Sequence, residues 1–120
     1  MNSGLRTTLL ILALMLVSSV LMFAHAILLK STPAPNEVVD GHGLPIALTF
    51  NSKVDQARST LTLERPDHQT SRLEIRVDPS AASRLATETL NLTPGSYKVH
   101  WQVLAVDGHI TRGEIAFKVK

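Results

Sequence analysis

The chain has 120 residues, a formal charge of +2 from 12 Lys and Arg against 10 Asp and Glu, and no cysteine. That length allows one domain. The charges are interspersed, without a basic block or basic residues interleaved with aromatics, which argues against nucleic acid as a partner. The missing cysteines exclude a disulfide framework, a cysteine-ligated zinc site and a thiol nucleophile.

In chain order, Asn2 to Thr8 is polar and carries one cation, Arg6; Leu9 to Val17 is an unbroken apolar run, and Val20 to Ala24 continues it beyond Ser18-Ser19. A basic start, a short apolar core and small residues after it form the layout of a secretory signal peptide, here residues 1–24. The run from Leu9 to Ala24 spans 16 residues and includes two serines, short of the ~20 apolar residues a membrane span requires. Local rules leave two cleavage points open. Ala24-His25-Ala26 is an A-x-A pattern that places the cut after Ala26 and discards His25. A cut after Ala24 also follows a small residue, although Met22 two positions earlier fits less well, and it leaves His25 as the first residue. All three methionines, Met1, Met15 and Met22, lie in the leader, so the domain 25–120 contains no sulfur. A metal site in that domain must use nitrogen and oxygen donors, which suit Cu(II) or Zn(II) and not the softer Cu(I).

The domain reads as short strands between turns. Ala26 to Leu29 is short and apolar; Ser31 to Asn36, with Pro33 and Pro35, reads as a loop. Gly41-His42-Gly43 breaks the chain before Pro45 to Phe50, where Ile46, Leu48 and Phe50 alternate with Ala47 and Thr49. Leu61 and Leu63 share one face of Ser59 to Arg65, Pro66 to Ser71 turns the chain, and Leu73, Ile75 and Val77 alternate with charged residues. Ala81 to Leu90 alone has moderate helix propensity, over a short length. After the turn Thr93-Pro94-Gly95-Ser96, one strand face carries Tyr97, Val99, Trp101, Val103 and Ala105. A final strand alternates Ile115, Phe117 and Val119 with Glu114, Ala116 and Lys118. Period-two alternation with frequent turns predicts an all-β sandwich or small barrel of about seven strands. Trp101 is expected in the core as packing.

The chemistry concentrates in Val106-Asp107-Gly108-His109. Asp107 and His109 are a carboxylate and an imidazole two residues apart; the Asp-Gly step also signals a hairpin turn, and a hairpin tip is a good place for ligands. Two ligands are too few to hold a metal well. At a free N-terminus, His25 chelates through its α-amine and its ring Nδ1 together. With the His109 imidazole and the Asp107 oxygen, the set becomes three nitrogens and one oxygen, which matches tetragonal Cu(II). His42, His68 and His100 are expected on the surface. No Ser-His-Asp order, phosphate-cradling loop or catalytic carboxylate pair stands out.

The start His25-Ala26-Ile27-Leu28, the segment Ser31-Thr32-Pro33-Ala34, the run Pro94-Gly95-Ser96-Tyr97-Lys98-Val99-His100-Trp101 through Val106-Asp107-Gly108-His109, and the close Gly113-Glu114-Ile115-Ala116-Phe117-Lys118-Val119-Lys120 together resemble the CopC family of periplasmic copper-binding proteins, including its YobA-like branch. The resemblance implies a cupredoxin-like, Greek-key β-sandwich over 25–120. It implies cleavage that leaves His25 first, and one Cu(II) per chain on His25, Asp107 and His109. It also implies that the methionine-rich Cu(I) site of some family members is absent here. Where family members often carry an acid, this chain reads Phe50-Asn51-Ser52-Lys53, with Asp55 the closest carboxylate.

The function expected is periplasmic storage or delivery of Cu(II) in copper resistance or homeostasis, without catalysis. The family resemblance suggests an inner-membrane copper transporter as the delivery partner. A monomer is expected, with no stable membrane insertion after cleavage. Two other readings stay open on sequence: a copper monooxygenase built on an N-terminal histidine, and a metal-free immunoglobulin-like interaction module.

Overall fold

The computed structural model describes residues 2–8 and 25–120. Residues 3–8 are helical; the apolar run Leu9 to Ala24 and the proposed cleavage boundary at Ala24 lie outside the described residues. The remainder is a β-sandwich of eight strands: β1 (Leu28–Thr32), β2 (Val38–Val39), β3 (Ala47–Phe50), β4 (Thr60–Glu64), β5 (Thr70–Leu73), β6 (Arg84–Ala86), β7 (Gly95–Leu104) and β8 (Ile110–Val119). The smaller sheet has the order β1-β3-β6 and the larger β2-β8-β7-β4-β5. Pairing is antiparallel except between β2 and β8.

The long strands follow the alternation in the sequence. Tyr97, Val99, Trp101 and Val103 of β7 and Ala105 just after it are buried, as are Ile115, Phe117 and Val119 of β8, Leu61 and Leu63 of β4, and Ile46, Leu48 and Phe50 around β3. These side chains form one core. Burying a Leu or Val of this kind contributes roughly 1.5–3 kcal/mol relative to exposure. Trp101 meets Phe50 edge-on, with centroids 5.4 Å apart. Its partner across the ladder is Gly113, and a Cβ there would collide with the indole ring. The indole therefore covers space that a side chain at 113 would fill.

Three details differ from the sequence pattern. Ser31 and Thr32 belong to β1, because they pair with Leu48 and Ala47, and the loop starts only at Pro33. The stretch 81–90 holds no α-helix. Its start is a 3₁₀ turn, Pro79–Ala81, whose Asp78 cap accepts from the Ser80 amide at 3.0 Å, and then β6. Leu85 is fully buried opposite Leu48, so pairing with β3 overrides the weak local preference. Val77 is exposed rather than core-facing, and Ile75 holds only an isolated bridge to Thr87.

Candidate metal centre

The segment 105–109 joins β7 to β8 as a tight tip. The register closes with Leu104 opposite Ile110. The Ala105 amide donates to the His109 carbonyl at 2.9 Å, and the Gly108 amide to the Ala105 carbonyl at 3.0 Å. Gly108 has φ +88° with open space around it, a conformation that side chains resist. Ala105 is buried and bridges to Val54, so the tip stands on the core while its polar residues project outward.

Asp107 organises this tip. Its Oδ1 accepts from the His109 amide at 3.0 Å and its Oδ2 lies 2.7 Å from His109 Nδ1. The backbone amide of His109 is the first cause that holds the Asp107 carboxyl below its ordinary range, followed by the His109 ring. A carboxylate has no hydrogen to give, so Nδ1 must be the donor in this pair. In the neutral imidazole the lone pair then sits on Nε2, free for a metal. The His109 side chain is 63% exposed and that of Asp107 22%.

His25 arrives from the other sheet. Its ring centroid is 4.6 Å from that of His109, at 66° between planes. Ala26 is fully buried beside it, and Ile27 is bonded both ways to Asn51: the Ile27 amide donates to Asn51 Oδ1 at 2.7 Å and the Asn51 amide to the Ile27 carbonyl at 3.0 Å. One ligand atom each from His25, Asp107 and His109 lies within 4.8 Å of the others, the one such His and carboxylate group among the described residues. Residues from opposite ends of the domain thus converge.

The other histidines are placed elsewhere. His42 is exposed in a turn and His68 sits at positive φ in the β4–β5 turn. His100 is half-exposed on the outer face of β7, with Nε2 3.1 Å from Glu64. Glu64 did not stand out in the sequence, and Asn51 only as part of the segment where family members often carry an acid; both are placed by cross-strand pairing, which no local motif encodes. Asp55 takes no part in the cluster and bonds instead toward Arg58. Ser52 turns its Oγ inward, without a partner among the described residues.

The profile of the CopC domain matches residues 28–120. The chain belongs to the CopC family. Protein YobA of Escherichia coli (strain K12) is 33% identical over 105 residues, which cover 82% of each chain. Copper resistance protein C of Xanthomonas campestris pv. juglandis is 32% identical, with 98% of this chain and 96% of that protein covered. The crystal structure of CopC from Methylosinus trichosporium OB3b superposes with a TM-score of 0.74 at 25% identity, covering 80% of this chain and 94% of that one. The CopC β-sandwich is therefore the fold of this domain.

Proposed function

We propose that this protein is an exported, periplasmic Cu(II) carrier that stores or delivers one copper ion per chain. The leader 1–24 is removed after Ala24, and His25, Asp107 and His109 hold the metal. The convergence of these three residues carries the reading. The copper resistance function named for the Xanthomonas relative supports it. So does the donor chemistry: imidazole, amine and carboxylate without sulfur favour Cu(II) over Cu(I).

Each residue has a distinct part. His25 supplies its ring and, after cleavage, an α-amine; both donors sit on one residue, so little entropy is lost on chelation. His109 presents Nε2 while Asp107 holds its Nδ1 proton, a carboxylate–imidazole–metal arrangement that fixes ring orientation and strengthens the donor. An ion on Nε2 lies across the ring from the Asp107 carboxylate, so direct ligation by Asp107 requires its hydrogen bond to Nδ1 to give way to the ion. The ligand nitrogens must be free of protons to bind, so loading releases protons and acid reverses it. The protein carries copper without reacting on it, and an inner-membrane copper transporter is the proposed recipient.

The deciding experiment adds one glycine before His25 in the exported form. In that variant every side chain is retained, but the His25 nitrogen becomes an amide, which is not basic. Cu(II) affinity, measured by competition at fixed pH, should collapse. Agreement of the two proteins within about threefold, or ~0.7 kcal/mol, would remove the free terminus from the site.

A further inference from the structure

We infer that Asn51 is a positioning residue for the metal centre: its side-chain carbonyl stands in for a missing ladder carbonyl and holds the His25 arm against the β7–β8 tip. This inference rests on the copper reading above. Strand β3 ends at Phe50, so its main chain turns away where the arm still needs a partner. The regular β1–β3 pairing is interrupted by an irregularity between Leu28 and Lys30. On the His25 side of that irregularity Asn51 makes two bonds to one residue, its backbone amide donating to the Ile27 carbonyl at 3.0 Å and its Oδ1 accepting from the Ile27 amide at 2.7 Å. These bonds lie two residues from His25.

The physical consequence is one of preorganisation. Two residues of chain span at most ~7 Å, so fixing Ile27 confines the His25 donors to a small volume. The buried Ala26 sets the direction in which they leave. Ile27 itself is 55% exposed and contributes little packing to hold the arm. Without the Asn51 carbonyl the arm samples positions away from His109, and apparent affinity falls by the fraction of time the site is assembled. Only an oxygen acceptor on a side chain of this length satisfies the Ile27 amide; Asp keeps it and Ala does not.

The test compares Asn51→Ala, Asn51→Asp, His109→Ala and Tyr97→Phe in the exported protein, with the natural N-terminus verified by sequencing. Tyr97→Phe removes the hydroxyl bond to the Thr93 carbonyl, 2.7 Å long and on the opposite end of β7, and serves as the control for general destabilisation. Asn51→Ala should weaken Cu(II) about 10-fold, or ~1.4 kcal/mol, and should speed hydrogen exchange of the Ile27 amide in copper-free protein. Asn51→Asp should restore slow exchange and bind copper at least as tightly as Asn51. Tyr97→Phe should lower the melting temperature with copper affinity unchanged. Wild-type affinity and exchange in Asn51→Ala, with His109→Ala crippled, overturns the inference and leaves the copper site standing. Unchanged affinity in His109→Ala overturns the site itself. Equal weakening by Tyr97→Phe reduces Asn51 to a stabilising residue and also overturns the inference.

Discussion

At the β7–β8 tip, one potential ligand atom each of His25, Asp107 and His109 lies within 4.8 Å of the others. On the outer face of the larger sheet the same residue types are arranged as a chain. Glu64 faces His100 Nε2 with one oxygen at 3.1 Å and His68 Nδ1 with the other at 3.6 Å, while His100 Nδ1 faces Glu114 at 3.6 Å and Glu114 faces Lys98 at 3.8 Å. In the second cluster each donor already has its own partner on its own side, so no single point collects several lone pairs. Composition does not separate a candidate chelating group from a ladder of paired side chains; convergence does. The register of β4, β7 and β8 spaces the second set along the sheet, whereas a hairpin tip and the segment before β1 bring the first set together.

Exchanging the fates of the two clusters is the strongest way to break this contrast. His109→Ala should cost at least about 100-fold in Cu(II) affinity, or ~2.7 kcal/mol, and His100→Ala should change it less than threefold. Isothermal competition on both variants checks this, and comparable losses would merge the two clusters into one site. A smaller effect is expected from Asp107→Ala, about 10-fold, within the range for a residue that orients a metal-bound imidazole. That substitution should also broaden the copper electron paramagnetic resonance spectrum, because the His109 ring loses its fixed orientation; a spectrum and affinity identical to wild type would show that Asp107 does neither job.

Acid should separate the clusters by order of events. Glu64 lies below its ordinary range, chiefly through its hydrogen bond from His100; Asp78 is lowered by the Ser80 hydroxyl, and Asp107 by the His109 amide. For a carboxylate whose folded pKa is depressed, the added stability is complete above the unfolded value, about 4. It is lost as pH falls through the folded value. Copper release requires only that ligand nitrogens take protons. Copper should therefore leave on acidification while the metal-free melting temperature is still on its plateau. A melting temperature that falls in step with copper release would tie both to the same groups.

Much of this architecture was legible in the sequence because β4, β7 from Tyr97 and β8 from Ile115 bury every second residue, and strict alternation survives translation into a sheet. The tip at Asp107-Gly108 was readable for the same reason a turn is: Gly108 adopts a backbone conformation that few residues share. What escaped was set by distant pairing. The segment around Leu85 has no strand signal of its own and becomes β6 only because β3 offers it a partner. Val38 and Val39 are too short a pair to announce β2, which exists through its parallel contact with Lys118 and Val119. Gly113 and Asn51 are single letters without a motif; one is explained only by the indole across the ladder, the other only by the arm it holds.

The distance in sequence between the converging residues has a thermodynamic side. An ion held by residue 25 and residue 109 closes nearly the whole domain into a ring, in a protein that has no cysteine with which to make such a closure. For a covalent link around a loop of this size, the chain-entropy model gives roughly 4–5 kcal/mol of restriction on the unfolded state. A reversible metal link adds stability by mass action whenever the ion binds the folded chain alone. On the copper reading, cargo and cross-link are one object: the loaded carrier should melt higher than the stripped one, and a chelator should return it to the lower temperature.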